Sequence, residues 1–277
     1  MEIVFLGTGG GRVNLVIQKR KTGGFRIFDT GINIHVDPGP GAFVYSGLLG
    51  LNSALDAVLV THSHIDHCND AGVMIEAMVR FNKSRKRRYG SFIGSRVMVE
   101  GDFRHAAALS LYHRRLVNNL ISLAPGEHTR VKDVEITATP VVHTDKSGIG
   151  FILKRKNWRL GITGDTEYFD ELPSYFEKLD CLIINCLRPG ASERIRGHMT
   201  SLNVIEFVNN LKHKPSLVIL THLGMRMIQI SSIEAKNIEG STGVKTIAAR
   251  DFLSVTKLQN RRNEYVFNKL KPVRPIL

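Results

Sequence analysis

Short apolar runs separated by polar turns recur along most of the chain, and they are rich in Val, Ile, Leu and Phe. Read as strands, they cover residues 2–7, 33–37, 57–61, 96–100, 134–142, 148–154, 159–163, 181–185 and 217–221. Several are apolar at every position rather than at every second one, as expected of strands covered on both faces. A different period appears at 71–81, where Val73, Met74, Ala77, Met78 and Phe81 make one stripe of an amphipathic helix. The same spacing recurs at 202–211 through Leu202, Ile205, Val208 and Leu211, with Thr200 or Ser201 placed to cap that helix. A third helical stretch is expected over 103–116. Strand groups with helices between them predict an α/β fold, two packed sheets between layers of helix. No internal repeat, low-complexity tract or Pro/Ser-rich linker marks a boundary, so the expectation is a single domain over 1–277.

Composition changes this picture little. A chain of 277 residues with 43% hydrophobic and 23% charged residues can bury an ordinary core without staples. Cys68, Cys181 and Cys186 are too few and of the wrong parity for a secreted disulfide framework. Cys181 and Cys186 sit in the apolar run DCLIINC and are read as buried free thiols. No stretch approaches the roughly 20 apolar residues of a membrane helix, and MEIVFLGTGGG lacks the basic start of a signal peptide. The expected setting is the reducing cytoplasm, without a membrane partner. The net charge of +13 is the outlier: it fits a polyanion partner or simply a strongly cationic, solvated surface.

The chemistry concentrates in THSHIDHCND, Thr61 to Asp70, which follows an apolar strand and precedes the first amphipathic helix. Such a loop at a strand end can project several side chains into one crevice. His62, His64, Asp66 and His67 supply three imidazoles and a carboxylate, the donor types that suit zinc and similar first-row ions. In an extended stretch His62 and His64 point the same way, and Asp66 and His67 follow after the chain turns. Three more ligand-type residues each end an apolar run: His143 after ITATPVV, Asp165 after RLGITG, and His222 after SLVILT. A lone strand-end His or Asp can merely cap a turn, but seven such residues from four segments suffice for two metals with open positions.

In order and spacing, His62-Ser63-His64-Ile65-Asp66-His67 followed by His143, Asp165 and His222 resembles the metallo-β-lactamase superfamily, from FLGTGGG to just beyond His222. The resemblance implies a four-layer αβ/βα sandwich binding two divalent ions, zinc first, with manganese or iron(II) as alternatives. It implies that His62, His64 and His143 hold one ion, that Asp66, His67 and His222 hold the other, and that Asp165 bridges them. Within the superfamily the opening MEIVFLGTGGG and the segment GHMTS, Gly197 to Ser201, are similar to the ribonuclease Z and cyclic phosphodiesterase branch. That branch implies a role for His198 at the phosphate oxygens, and a helix N-terminus nearby favours an anion there. His143 and Asp165 are only 22 positions apart, which leaves no room for the tRNA-binding arm of long-armed ribonuclease Z. The segment LGMRM after His222 and Asp70, where many members carry glycine, are further departures.

The expected activity is therefore metal-dependent hydrolysis of a phosphodiester, in RNA or in a small or cyclic substrate. Asp66 would orient or deprotonate the attacking water, and His198 would assist at the phosphoryl oxygens or leaving group. A thioester or lactone hydrolase, or a nucleic-acid-binding protein with a structural metal, could carry the same cage. Arg80, Lys83, Arg85, Lys86, Arg87 and Arg88, with Phe81, Tyr89 and Phe92 interleaved, suit an RNA backbone and its bases. A second cationic cluster spans 257–274, and a homodimer is left open. GTGGGR at 7–12 matches neither a dinucleotide nor a P-loop fingerprint and is read as a structural turn. His35, His105, His113, His128 and His213 are read as structural or surface residues.

Overall fold

The computed structural model describes residues 1–51, 55–190, 196–258 and 264–273, which form two compact units. The first comprises Met1–Thr8, Lys21–Leu123 and Arg250–Leu277; the second comprises Gly9–Arg20 and Ala124–Ala249.

The first unit is built on one eight-stranded sheet in the order Tyr265–Lys269, Leu253–Lys257, Glu2–Phe5, Phe25–Asp29, Ile32–Val36, Ala57–Val60, Ser91–Ser95, Asn119–Leu123. Pairing is antiparallel as far as Ile32–Val36 and parallel from there to Asn119–Leu123. Ile32–Val36 and Ala57–Val60 are buried at every position, the state their unbroken apolar pattern requires. Helix Ala71–Arg80 buries Ala71, Met74, Ile75 and Met78 in a core with Val58, Val60 and Phe92.

The second unit carries a sheet ordered Thr246–Ala248, Leu217–Thr221, Cys181–Arg188, Trp158–Ile162, Ile149–Arg155, Val134–Pro140, His128–Val131. Here the first four strands run parallel and the remainder antiparallel. Helix Ser201–Asn209 begins at Thr200, whose side chain forms a reciprocal capping box with Asn203. Phe207 of that helix meets Phe176 edge-on at 5.6 Å, a contact worth about 0.5–1.5 kcal/mol beyond area burial.

Two expected elements differ. Residues 96–100, expected as a strand, form the short helix Arg96–Glu100. RVMVE has a strand's composition, but the sheet partners are taken by Ser91–Ser95, and Arg96 pairs with Glu100 one turn on at 3.2 Å. Of the helix expected over 103–116, only Leu111–Arg114 forms. Asp102 Oδ1 accepts the N–H groups of Arg104 at 2.8 Å and His105 at 2.7 Å, a local bond pattern that competes with helix, and Phe103 stays exposed. The longest helix, Met225–Thr242, has no clear apolar signature because its buried stripe is Met227, Ser231, Ala235, Ile238 and Thr242. Among the described residues, no helix is long and apolar enough to cross a membrane.

Candidate metal ligands

Open α/β sheets place functional groups beyond the carboxyl ends of parallel strands, and both units obey this rule. In the first, Ala57–Val60 delivers Thr61 and the histidine segment. His62 and His64 precede the short helix Ile65–Cys68, which carries Asp66 and His67. The ring of His62 lies 4.7 Å from that of His64 and 4.1 Å from that of His67, and His67 Nε2 is 3.9 Å from Asp66 Oδ2. The structure thus brings all four sequence-predicted residues of this segment together.

What aims the rings of His62 and His67 is Asp37, which the sequence places only at a strand end. It is buried, with φ of 51°, in a left-handed conformation that is costly for a side chain other than glycine. Its Oδ1 accepts the Thr61 N–H at 2.8 Å, and its Oδ2 accepts both the Thr61 hydroxyl at 2.9 Å and His67 Nδ1–H at 2.8 Å. A carboxylate can only accept, so His67 carries its proton on Nδ1 and offers Nε2 as its ligand nitrogen. The Thr61 hydroxyl has spent its proton on Asp37 and accepts from His62 Nδ1 at 3.0 Å, which makes Nε2 the ligand nitrogen there too. The rule that selected Asp165, an Asp closing an apolar strand, would have found Asp37 as well.

In the second unit, His143, Asp165, His198 and His222 come from four separate segments. Ligand atoms of Asp165, His198 and His222 lie within 4.8 Å of one another. Asp165 Oδ2 is 3.3 Å from His222 Nε2 and 3.5 Å from His198 Nδ1, while Oδ1 accepts from Asn185 Nδ2 at 2.7 Å. The His198 ring stacks on His222 at 5.7 Å and meets His143 edge-on at 5.0 Å. His143 Nδ1–H donates to the Gly197 carbonyl at 2.8 Å, so Nε2 is its ligand nitrogen.

The glycines here are cradles. A Cβ on Gly10 would stand 2.2 Å from the His222 ring, and one on Gly197 would stand 2.6 Å from His143 Nδ1. Gly10 N–H also donates to Leu223 O at 3.0 Å, so the GTGGG segment is the structural turn expected of it, packed under His222. His222 itself has φ of 55°, which that packing sustains.

The donor sets of both units suit divalent zinc-like ions: imidazoles with fixed tautomers, carboxylates, and tightly packed glycines behind the rings. Cys181 and Cys186 are both buried in the strand Cys181–Arg188, and burial pushes the Cys186 thiol up. His35 is a core residue: fully buried, it donates from Nε2 to Gly23 O at 3.0 Å, and burial holds its pKa well below 6.5. His105, His128 and His213 are exposed and His113 half-buried.

The six cations Arg80, Lys83, Arg85, Lys86, Arg87 and Arg88 are all exposed. Asn82 organises their loop: its Oδ1 accepts from Ser84 Oγ at 2.8 Å and from the Lys86 N–H at 3.1 Å. The interleaved aromatics are a correction. Phe92 is wholly buried in the core, Tyr89 donates its hydroxyl to Asp56 at 3.0 Å, and only Phe81 presents an exposed ring. The second cationic cluster falls partly on 259–263 and 274, outside the described residues.

Residues 32–223 match a family model described as the beta-lactamase superfamily domain. The uncharacterized protein MJ1374 of Methanocaldococcus jannaschii is 38% identical over 262 residues, covering 94% of this chain and 97% of that protein. Among solved structures, the metallo-β-lactamase fold protein YhfI from Bacillus subtilis gives a TM-score of 0.74 at 18% identity, over 91% of this chain and 98% of that one. Zn2+-bound PqqB from Methylobacterium extorquens gives 0.69 at 13% identity, over 93% and 100%. Human short-form tRNase Z gives 0.62 at 16%, over 92% and 99%. The matched segment contains every candidate ligand from His62 to His222, and the shared fold extends over nearly the whole chain. The chain therefore belongs to the beta-lactamase superfamily and has the metallo-β-lactamase fold.

Proposed function

We propose that this protein is a dinuclear metal-dependent phosphodiesterase, acting on RNA or on a small or cyclic phosphodiester. The ligand assignment is the one the family resemblance implies: His62, His64 and His143 for one ion, Asp66, His67 and His222 for the other, Asp165 for both. When bound, two divalent ions supply Lewis-acid charge stabilisation and activate water near neutral pH. The chain's residues supply the rest. Asp66 takes the proton of the attacking water, and Asp37 and Thr61 keep His67 and His62 in the tautomers that ligation needs.

The observation that carries the phosphodiester reading is His198. Its side chain is 16% exposed, and its Nδ1 lies 3.5 Å from Asp165 Oδ2. A proton donor at that place serves phosphoryl oxygens and a leaving alkoxide; the thiolate that leaves a thioester has no need of one. Shared fold with a tRNase Z is consistent with this chemistry, and Zn2+-bound PqqB with the choice of zinc. The exposed cations Arg80, Lys83, Arg85, Lys86, Arg87 and Arg88, within a segment that contains no carboxylate, would hold an RNA substrate by its phosphates.

The test is a panel on the purified protein reconstituted with Zn2+, Mn2+ or Fe2+: bis-p-nitrophenyl phosphate, a cyclic phosphodiester, RNA, a thioester and a lactone. The expected result is metal-dependent phosphodiester turnover that His198→Ala lowers by roughly 10²–10⁴-fold. Turnover of the acyl substrates alone, or RNA binding with no hydrolysis, would replace this reading.

A further inference from the structure

We infer that Glu167 is a positioning residue for the proposed site: its carboxylate fixes the Gly197 backbone, so that His143 presents Nε2 and His198 stays beside Asp165. Glu167 lies two positions after Asp165, yet its side chain turns to a different strand end. Its Oε1 accepts the Gly197 N–H at 2.8 Å. Gly197 has φ of 84° and sits so close to His143 that no Cβ fits, so only glycine serves there. Glycine has no conformational preference of its own to hold that shape, and an outside group must select it. A half-buried side-chain oxygen accepting that backbone N–H at 2.8 Å is such a group.

The selected shape sets two functional groups at once. Gly197 O receives the Nδ1 proton of His143 at 2.8 Å, and the next residue is His198. The segment that bears Glu167 also holds the chain just before His143. Glu167 N–H donates to Val142 O at 2.9 Å, and Thr166 Oγ1 accepts the Val142 N–H at 2.9 Å while donating to Glu167 O at 2.7 Å. Residues 166–167 thus tie together the segments that bear His143, Asp165 and His198.

The activity arm of the test rests on the phosphodiesterase reading; the other arms do not. In the full chain, Glu167→Ala and Glu167→Gln are compared by Zn2+ affinity against a chromophoric chelator, by the 15N shifts of the His143 ring, and by kinetics on bis-p-nitrophenyl phosphate. Glu167→Ala is expected to weaken Zn2+ binding by about 10–100-fold, to lose the single Nδ1–H tautomer of His143, and to lower kcat with KM nearly unchanged. Glu167→Gln keeps an oxygen acceptor and is expected to restore all three to within a few-fold of wild type. Wild-type Zn2+ affinity and an unchanged His143 tautomer in Glu167→Ala would overturn the inference. So would a Gln variant as impaired as Ala, which would assign the effect to charge rather than to the acceptor. If Glu167→Ala does not fold, Glu167→Met, of similar length and without an acceptor, takes its place under the same criteria. Absence of phosphodiester turnover in the wild type would remove the proposed function and leave the Zn2+ and NMR arms to decide the role of Glu167.

Discussion

In the first unit, four candidate ligands come from six consecutive residues, and one remote carboxylate, Asp37, aims His67 directly and His62 through Thr61. In the second unit, His143, Asp165, His198 and His222 come from four distant segments, and the Gly197 carbonyl, glycine cradles and the side chains of Asn185 and Glu167 hold them. The difference follows from geometry. A contiguous motif already brings its side chains close, so what it lacks is tautomer and rotamer control, which a buried carboxylate supplies. Dispersed residues lack closeness itself, and only close backbone approach, such as that at Gly10 and Gly197, can deliver it. Loss of an accepting side chain should therefore damage the candidate ligands of either unit, at Asp37 in the first and Glu167 in the second, whereas addition of a methyl group at a cradle glycine should damage only the second's.

The largest effect should come from removing a functional carboxylate of the contiguous motif. Asp66→Ala is expected to lower metal-dependent phosphodiester turnover by on the order of 10²–10⁴-fold, read as kcat at saturating metal. Full turnover in that variant would remove Asp66 from the reaction. Next comes the cradle. Gly10→Ala places a methyl group 2.2 Å from the His222 ring, so His222 must shift. Overpacking of this kind costs about 1–3 kcal/mol, a Tm lower by roughly 2–12 °C, and bound Zn2+ should fall below two per chain. A Gly10→Ala protein with normal Tm and metal content would dissolve the contrast between the units. Asp37→Asn is the matching test in the first unit. An amide offers one acceptor oxygen where three donors now converge, so Zn2+ affinity should drop by about 10–100-fold while the fold persists.

Charge and pH sharpen the comparison further, because the cationic loop and the buried non-ligand imidazole both belong to the first unit. Replacing Arg85, Lys86 and Arg87 by serine should weaken RNA binding and flatten its salt dependence by up to three phosphate contacts, with hydrolysis of bis-p-nitrophenyl phosphate unchanged. An unaltered salt slope would leave the +13 charge as surface solvation. The smallest effect concerns His35. Its folded pKa is held well below 6.5, so below that pH the unfolded chain takes up a proton that the native protein refuses. Its contribution to stability is intact above pH 6.5 and is lost progressively as the pH falls. His35→Gln should therefore flatten the unfolding free energy, read from denaturant melts, against pH between pH 5 and 7, by at most about 1.4 kcal/mol per pH unit.

How legible all this was depends on where each interaction lives. The strands covered on both faces were readable because burial on both sides demands unbroken apolar runs, and Leu217–Thr221 falls on the residues expected for it. The capped helix at Thr200 was readable because a capping box is a local sequence pattern. The helix Met225–Thr242 was not, because Ser231, Ala235 and Thr242 lie in its buried stripe and erase the apolar period. At 96–100 the composition spoke for a strand, and competition for sheet partners decided for a helix.

The same division runs through the candidate site. The sequence by itself determined the donor set: imidazoles and carboxylates in one dense motif and at three strand ends, in the order of the metallo-β-lactamase family. Local chemistry suffices for that, since ligand type is a property of each residue. Only the tertiary structure decided which nitrogen His62, His67 and His143 offer, and which group enforces the choice. Asp37 reaches His67 across 30 positions, Gly197 reaches His143 across 54, and Gly10 lies under a histidine more than 200 residues away. Hydrogen bonds and steric contacts act over a few ångströms of space rather than over positions of chain, and chain folding alone brings those groups within range.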